Sequence, residues 1–439
     1  MKFSVIVPVH NSERYLYECL ESLRTQTFCD FEALIIDDYS KDKTLEIVNE
    51  FLKADSRFLL FQDKNGSYGH KINVGIEQAK GVYVCILESD DSYVQDALAS
   101  FAAIVNFFAP DYVDGFYRSF WMLGQKSYGQ EILKYNLEQY DALITGDRVK
   151  KSVEYVDPSI WTGAYKRQFL LDKKIRFNES SGASFQDISF AFLVHANASS
   201  AYHIRTLIYN YRTDNQNSSS YDKTKVFAVQ KEYEFLRGQL EKRGLWSSPI
   251  VQSLYFTWKY HNYMWNLERL DEAGEKEFAN VICDEYRQDY CLLRTLKCEL
   301  KPGVSELVSN CQQYLLDLKK NKELRLEEKS KSDKIEIFFQ NGVVLFGCGS
   351  YGRNFYSSLD DRRKKDVLCF CDNDESKQGS FVFGLFVFSL RDVIKRYPNC
   401  NFVICNKNNS LEIKNQLIDW GILKNRILFS PDFFGDWSD

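Results

Sequence analysis

The sequence of 439 residues lacks any uninterrupted apolar run of the roughly 18 residues that a membrane-spanning helix needs. It also lacks the basic segment, apolar segment and cleavage site of a secretory signal, because residues 1–9 run directly into a strand-like stretch. The formal net charge is -5 and no long basic face is present, which argues against nucleic acid as the main partner. The sequence therefore predicts a cytoplasmic protein that does not bind nucleic acid.

The 12 cysteines lack the spacing of a zinc site or of a disulfide framework. The closest pair, Cys369 and Cys371, matches neither a zinc knuckle nor a thioredoxin-type site. We expect reduced, mostly buried thiols and no requirement for disulfides. Hydrophobic residues make up 44% of the chain and charged residues 27%, which is typical of a protein that buries sizeable cores.

Strand and helix patterns alternate over residues 3–87. Apolar, β-branched runs are separated by segments of helical periodicity, and the predicted strands are Phe3 to Val9, Phe31 to Ile36, Phe58 to Phe61 and Val82 to Leu87. This alternation predicts an α/β fold with a largely parallel sheet that is covered on both faces. Ligands bind beyond the carboxyl ends of such strands, so the polar residues that follow each strand are the candidate site residues.

Three domains are predicted, since a chain of this length exceeds the usual size of about 150 residues per domain. Residues 1–220 hold the first β/α series. Residues 221–335 are predicted to be helical and end in a charged linker at Lys319 to Lys334. Residues 336–439 contain a second, smaller β/α series.

Acidic residues follow two of the predicted strands. Asp37 and Asp38 follow one, and Glu88, Asp90 and Asp91 follow another. A carboxylate can accept hydrogen bonds from a uracil imide or from ribose hydroxyls, and three carboxylates in one short segment repel each other unless a cation neutralises them. Hard oxygen ligands suit Mg²⁺ or Mn²⁺ bridged to a diphosphate. Solvated acidic turns are the alternative, but together the two strand ends predict a nucleoside-diphosphate site.

Four segments resemble the family 2 glycosyltransferases of GT-A fold in both order and spacing. They are Ser4 to Asn11 (SVIVPVHN), Asp37 to Ser40 with Lys43 and Thr44, Lys71 to Gly81 (KINVGIEQAKG) and Glu88 to Asp91 (ESDD). The resemblance covers residues 1 to about 220. It implies a GT-A-type nucleotide-diphospho-sugar transferase that uses Mn²⁺ or Mg²⁺ and inverts the configuration at the anomeric carbon of the sugar it transfers. The implied donor is a UDP-sugar, and the implied acceptor is a hydroxyl of a glycan or lipid-linked glycan of lipopolysaccharide or capsule type.

The resemblance also implies roles for individual residues of the donor site. Pro8, Asn11 and Asp38 are expected in the base and ribose pocket, and Lys71 is expected to face the nucleotide. Asp90, Asp91 and Glu88 are the implied metal and ribose carboxylates. This sequence departs from the family pattern in three places: Tyr39 stands where a glycine is usual, Glu88 where an aspartate is usual, and Gln186 where an acid commonly precedes the base.

An inverting transfer needs a general base that takes the proton of the acceptor hydroxyl. The segment Ser181 to Phe190 resembles the acid-containing segment of the family, with Asp187 in the position of the base. A capping or first-turn acid at a helix N-terminus is the alternative role for Asp187.

Aromatic and basic residues complete the predicted site. Trp161 is expected to line the acceptor side, although a core tryptophan is an equal alternative. Arg212 is expected to pair with phosphate oxygens, with Asn215 to Ser219 as a loop over the diphosphate or as an ordinary surface loop. The helical region contains an aromatic stretch made of Tyr255, Trp258, Tyr263 and Trp265. These side chains could form packed core, a peripheral contact with the inner face of the cell membrane, or the seam of a homo-oligomer.

A glycine-rich turn follows the strand-like run Val343 to Phe346. Gly347, Gly349 and Gly352 have the spacing of a dinucleotide-binding turn, and Asp372 follows at about the 20-residue offset of its ribose-binding acid. The space that remains fits one half of a complete NAD fold. The sequence therefore predicts a small Rossmann-like α/β domain, and both a second nucleotide site and an empty structural module remain open.

Two other functions fit parts of this pattern. One is a nucleotidyltransferase or another diphosphate-handling enzyme, which would be distinguished by the release of pyrophosphate instead of UDP. The other is a non-catalytic sugar-nucleotide-binding or scaffold protein, against which the intact Asp90, Asp91 and Asp187 argue.

Overall fold

The protein forms two compact units, Met1–Leu315 and Leu316–Asp439, and each is described by itself. The predicted charged linker at 319–334 lies outside the described residues. The computed structural model describes residues 1–123, 126–135, 137–152, 158–183, 185–215, 222–289, 292, 310, 311, 313–315, 338, 339, 342–406, 409–423 and 426–429.

A ten-stranded sheet forms the centre of the first unit, in the order β3-β2-β1-β4-β9-β6-β10-β5, with β7 paired to β6 and β8 paired to β10. Its first four strands are parallel, as the alternating pattern predicts. The strands are β1 Phe3–Val9, β2 Phe31–Asp37, β3 Phe58–Gln62, β4 Tyr83–Ile86, β5 Ser92–Tyr93, β6 Tyr112–Leu123, β7 Lys126–Ile132, β8 Leu143–Thr145, β9 Gly163–Lys166 and β10 Ser200–Arg212.

The parallel strands end at one edge of the sheet because of their register. Val9 of β1 lies opposite Asp37 of β2, and Asp37 lies opposite Gln62 of β3. Every residue of β1 and β2 is buried, which explains why both read as nearly continuous apolar runs. The loops that follow these strands consequently leave the sheet side by side.

Helices cover both faces of this sheet. Val5 and Val7 pack into one hydrophobic cluster, whereas Ile6 points to the opposite face and joins another. The helices are α1 Leu16–Arg24, α2 Thr44–Ala54, α3 Tyr68–Gln78, α4 Ala97–Phe107, α5 Asp147–Lys151, α6 Arg167–Asp172, α7 Gln186–Asn197, α8 Ala228–Lys242, α9 Pro249–Arg269 and α10 Glu272–Gln288.

The predicted helical region packs onto the sheet domain. Side chains of α8, α9 and α10 share a hydrophobic cluster with α3, α7 and the strands, and all of them belong to the first unit. Independent domains with boundaries at 220 and 335 remain a prediction.

The aromatic stretch of α9 is mainly core. Tyr255, Trp258 and Tyr263 are buried, whereas Trp265 is 42% exposed. The membrane-contact interpretation of this stretch is therefore wrong for the three buried rings, because they pack within the first unit. Over the residues that the structure describes, no helix is both long and apolar enough to cross a membrane.

The expectation of exclusively reduced cysteines is wrong at one pair. Cys283 in α10 forms a disulfide with Cys311, 28 residues later, with their Cα atoms 5.5 Å apart. A pair this distant in sequence is brought together by the packing of the helical region, so the spacing of cysteines does not reveal it. The other cysteines with described surroundings are free, and all of them except Cys29 are buried.

The second unit contains a six-stranded sheet in the order β13-β14-β12-β11-β15-β16. Its strands are parallel except for the antiparallel pair of β13 and β14. They are β11 Val343–Phe346, β12 Val367–Cys371, β13 Phe381–Val382, β14 Leu385–Phe388, β15 Asn401–Ile404 and β16 Ile427–Phe429. Helices Ser350–Ser358, Asp361–Asp366, Leu390–Arg396 and Ser410–Asp419 connect them.

Candidate active site

A cavity of about 1460 Å³ opens at the carboxyl ends of β1, β2 and β4. Its walls come from the loops after these strands, from the start of α7 and from α9. The structure thereby brings together most of the residues that the sequence assigns to donor, metal, base and acceptor. The predicted residues that line the cavity are Pro8, Asn11, Asp38, Lys71, Glu88, Asp90, Asp91, Trp161 and Asp187.

The loops after β1 and β2 are tied together at the nucleotide side of this cavity. The backbone N–H of Asn11 donates to Ser40 Oγ at 2.9 Å, and the N–H of Lys41 donates to Asn11 Oδ1 at 2.8 Å. Between these contacts, Tyr39 has a φ of +53°, a conformation that favours glycine. This geometry explains why a glycine is usual at this position. The Tyr39 side chain lines the cavity and is 46% exposed.

Asp38 holds a third loop in place. Its carboxylate accepts the backbone N–H groups of Asn65 at 3.2 Å and of Gly66 at 3.1 Å. Lys71 is buried nearby, with Nζ 3.4 Å from the carbonyl of Val9. Burial lowers the pKa of Lys71, whereas the charges of Asp38 and Glu88 oppose this shift. The direct contacts of Asp38 and Lys71 with a nucleotide remain a prediction.

Glu88 lies between the predicted metal site and the predicted base. Tyr68 donates its hydroxyl to Glu88 Oε1 at 2.5 Å. Burial raises the pKa of Glu88 to about 7, and the negative charges of Asp90 and Asp187 add to the rise while the Tyr68 hydrogen bond opposes it. The charges of Asp90 and Asp187 both act on Glu88, so the three acids belong to one electrostatic environment.

Asp90 and Asp91 differ in their surroundings. The carboxylate of Asp91 is buried and accepts the hydroxyl of Tyr209 at 2.9 Å and the backbone N–H of Arg212 at 2.7 Å. Burial, followed by the charge of Asp90, raises the pKa of Asp91. Asp90 accepts a hydrogen bond from the side-chain amide of Asn215 at 2.7 Å. The hydrogen bonds of Asp91 fix the turn, which leaves Asp90 as the better candidate for a metal ligand.

The described residues do not include a group of three or more His, Cys, Asp or Glu side chains arranged to hold a metal ion. The predicted three-carboxylate cluster of Glu88, Asp90 and Asp91 is thus not a preformed cage. Mg²⁺ and Mn²⁺ are commonly bound by one or two carboxylates with substrate phosphates completing the shell. A cavity lined by Asp90 and Glu88 fits that mode of binding.

Arg212, which is expected to pair with phosphate oxygens, does not line the cavity. Its guanidinium contacts Glu18 Oε2 at 2.5 Å and the carbonyl of Asp90 at 3.0 Å, between the rings of Tyr15 and Phe120. These contacts make Arg212 a residue that positions the Asp90–Asp91 turn. In the predicted diphosphate loop, Asn215 lines the cavity, whereas residues 216–219 lie outside the described part of the chain.

Asp187 occupies the first turn of α7, which begins at Gln186. Phe185 is the N-cap residue, with a φ of +64°, so Asp187 is not the helix cap. The side chain of Gln186 turns back and donates to Ser180 Oγ at 2.9 Å and to the carbonyl of Gly182 at 3.0 Å. This bonding gives the amide at 186 a structural role where an acid is common in the family.

Trp161 combines the two roles that the sequence leaves open. It lines the cavity, and it also stacks on Tyr211 with parallel rings 5.1 Å apart and on Tyr209 at 4.3 Å. Because the Tyr209 hydroxyl donates to Asp91, this aromatic stack also positions the Asp90–Asp91 turn. Its contact with an acceptor remains a prediction.

The helical region contributes to this cavity, which the sequence did not predict. The signal was present in part, since Trp265 belongs to the aromatic stretch, but helical periodicity does not show which ring faces a ligand. The cavity residues from this region are Asp222, Lys225, His261, Asn262 and Trp265.

The glycine-rich turn of the second unit has a packing role at two positions. Gly347 has a φ of +108°, and a Cβ at Gly352 would lie 1.8 Å from the carbonyl oxygen of Gly347. A Cβ at Gly349 would meet no atom within 4 Å. Asp372 accepts the backbone N–H of Cys348 at 2.9 Å, so its carboxylate closes the turn. Nucleotide binding by these residues remains a prediction.

Comparisons with known proteins agree with this geometry. The model of the glycosyl transferase family 2 matches residues 4–172, and the model of the C2185-like, N-terminal family matches residues 339–428. Glycosyltransferase GlyG of Streptococcus pneumoniae serotype 4 is 31% identical over 224 residues, which span 48% of this chain and 70% of GlyG. The poly(ribitol-phosphate) beta-N-acetylglucosaminyltransferase TarS of Staphylococcus aureus is 39% identical over 109 residues, which span 24% of this chain but 19% of TarS.

Solved structures give the same fold. Residues 1–349 of S. aureus TarS superpose with a TM-score of 0.55 at 20% identity, covering 72% of this chain and 88% of that one. The complex of the same TarS fragment with UDP-GlcNAc gives a TM-score of 0.53 at 21% identity, with 72% and 89% covered. Fold, family model and the extent of the GlyG match together establish that this chain belongs to glycosyl transferase family 2.

Proposed function

We propose that this glycosyltransferase transfers a sugar from a UDP-sugar to a hydroxyl of a cell-surface glycan, with inversion at the anomeric carbon. The observation that carries the proposal is the convergence of strand-end carboxylates and Asp187 on one cavity. The TarS fragment was solved with UDP and with UDP-GlcNAc, which makes UDP-GlcNAc the first donor to test. A glycan or lipid-linked glycan of lipopolysaccharide or capsule type is the proposed acceptor, and a cytoplasmic location with peripheral membrane contact or homo-oligomer formation stays a prediction.

In the proposed reaction, the acceptor hydroxyl oxygen attacks the anomeric carbon as the bond from that carbon to the diphosphate breaks. Asp187 takes the hydroxyl proton, and UDP leaves with the bonding electron pair. A carboxylate at the first turn of α7 suits this role, because it lies in the cavity and within the electrostatic reach of Glu88.

A divalent ion is proposed as the cofactor, with Asp90 as its main protein ligand and Glu88 beside it. When bound, Mn²⁺ or Mg²⁺ would supply positive charge to the leaving diphosphate. Asn215 orients the Asp90 carboxylate, and Arg212 orients the turn through the Asp90 carbonyl. Asp38 and Asn11 shape the nucleotide side by holding the neighbouring loops.

Thermal unfolding with a panel of UDP-sugars, in the presence of Mn²⁺ or of EDTA, tests the donor proposal. A ligand that binds only the folded state at 100 times its Kd stabilises it by about 2.7 kcal/mol, so the true donor should raise Tm in a metal-dependent manner. UDP release should then accompany turnover. Release of pyrophosphate would favour the nucleotidyltransferase alternative, and binding without turnover would favour the non-catalytic one.

A further inference from the structure

The cavity is larger than one ligand requires. Small-molecule sites usually enclose about 300–1,000 Å³, whereas this cavity has about 1460 Å³. Residues from the loops after β1, β2 and β4 contribute to its lining, among them Asn11, Asp38 and Asp90. The helical region contributes Asp222 and Lys225, together with His261, Asn262 and Trp265 of α9. The helical region therefore supplies one wall of a cavity that has room for more than one ligand.

Trp265 is the residue of that wall best suited to a sugar ring. The other large aromatic residues of its stretch are buried, whereas Trp265 is 42% exposed and lines the cavity. Its ring meets Phe185 edge to face, with centroids 5.7 Å apart and planes at 79°. An exposed indole of this kind offers an apolar surface with a polar N–H at its edge, which matches the apolar and hydroxylated faces of a pyranose.

The indole is held in place before any ligand binds. The guanidinium of Arg269 lies 5.6 Å from the Trp265 ring centroid and 5.0 Å from that of Phe185. Arg269 is fixed in turn by hydrogen bonds to the carbonyls of Asp222 at 2.6 Å and Lys225 at 2.8 Å. A preorganised aromatic ring loses less conformational entropy when it binds a ligand.

The same wall adjoins the proposed base. Phe185, which contacts Trp265, is the N-cap residue of α7 and stands two residues before Asp187. Lys225 Nζ donates to the carbonyl of Ala183 at 2.6 Å, which ties the helical region to the same segment. A sugar ring seated on Trp265 would therefore lie beside the turn that carries Asp187.

We propose that Trp265 is an acceptor-binding residue, whose indole stacks on a pyranose ring of the acceptor glycan next to the Asp187 turn. This inference rests on the proposed function and adds to it a saccharide subsite built by α9. Neither the pattern of the sheet domain nor the family resemblance, which ends near residue 220, assigns this residue a role.

Steady-state kinetics with 4-nitrophenyl β-glycosides of glucose, galactose and N-acetylglucosamine as acceptors test the subsite. The ratio of acceptor KM to UDP Kd should rise roughly tenfold in Trp265→Ala, the order expected for loss of an aromatic contact, and Trp265→Phe should recover part of it. The control is Trp121→Ala, which removes a tryptophan of similar exposure, 43%, that lies on β6 and does not line the cavity. That control should keep the wild-type ratio.

Two results would overturn the subsite while leaving the donor proposal intact. One is an unchanged ratio in Trp265→Ala. The other is a wild-type protein that binds UDP and hydrolyses a UDP-sugar but gains no rate from any of the three glycosides. If UDP and every UDP-sugar fail to bind, the proposed function fails first and the subsite falls with it, so the two failures are distinguishable.

Discussion

The two units place acidic residues after parallel strands but use them differently. Each has parallel strands that end in acidic residues. In the first unit, Glu88 and Asp90 line a large cavity, whereas in the second unit Asp372 folds back and bonds the N–H groups of Cys348 and Asp374. A strand-end carboxylate can thus either face a cavity or close its own loop.

The same distinction applies within the first unit. The carboxylates of Asp38 and Asp91 bond backbone N–H groups and stabilise loops, although both residues line the cavity. Glu88 and Asp90 receive hydrogen bonds from side chains instead, from Tyr68 and Asn215. The acids of the site therefore separate into those that build it and those better placed to bind a ligand. The following experiments test that separation.

The largest effect is expected for Asp187→Asn. An amide keeps the shape of the side chain but cannot accept the hydroxyl proton, and loss of a general base costs about 10²- to 10⁴-fold in rate. Transfer should fall by this factor in a coupled assay of UDP release, while UDP binding persists. Asp147→Asn is the matched control, since Asp147 also lies in the first turn of a helix but outside the cavity. Turnover near the wild-type rate in Asp187→Asn would remove Asp187 from the role of base.

A smaller effect on binding is expected for Asp90→Asn. A lost interaction with a charged group is worth about 1.5–3 kcal/mol, so the Mn²⁺-dependent affinity for UDP should fall roughly 10- to 100-fold by calorimetric titration. Asp91→Asn should instead lower the free energy of unfolding. The two carboxylate oxygens accept from the Tyr209 hydroxyl and the Arg212 N–H, whereas an amide has one acceptor oxygen. The reverse result, with Asp91 controlling metal dependence and Asp90 controlling stability, would exchange their assigned roles.

In the second unit, we expect a packing effect at Gly352. The Cβ of Gly352→Ala would overlap the carbonyl of Gly347, and overpacking of this kind costs about 1–3 kcal/mol. Unfolding in urea should therefore show a less stable second unit. Gly349→Ala is the control, because its Cβ meets no atom within 4 Å and its φ is -71°. Equal stability of the two variants would contradict the packing role.

The smallest effect concerns pH. Burial raises the pKa of Glu88 from 4.5 to about 7, so the folded protein favours the neutral acid. The stability that this group contributes is complete below pH 4.5 and is lost as the pH rises through about 7. A bound cation favours the ionised form, so the affinity for UDP with Mn²⁺ should rise several-fold between about pH 6 and 8. Glu88→Gln should flatten this profile, and an unchanged profile would assign the titration to another group.

The site could be located from the sequence because strand periodicity and the acidic residues after each strand are short-range patterns. The predicted strands match β1 to β4 closely, and the acids after them lie at one edge of the sheet because parallel strands end together. Arg212 shows where such reasoning stops. Its position just before the predicted diphosphate loop suggested a phosphate contact, but its partner Glu18 lies 194 residues away in sequence. Long-range pairing of this kind has no signature in spacing.

What the sequence alone determined was the fold class, the family and the edge of the sheet that carries the site, since each depends on periodicity and on short motifs. Only the tertiary structure decided which carboxylates stabilise loops, which aromatic ring of α9 faces the cavity, and how Cys283 meets Cys311. These outcomes depend on how helices and loops distant in sequence pack against one another. Hydrogen-bond direction and burial are then set by that packing, and no local pattern specifies them.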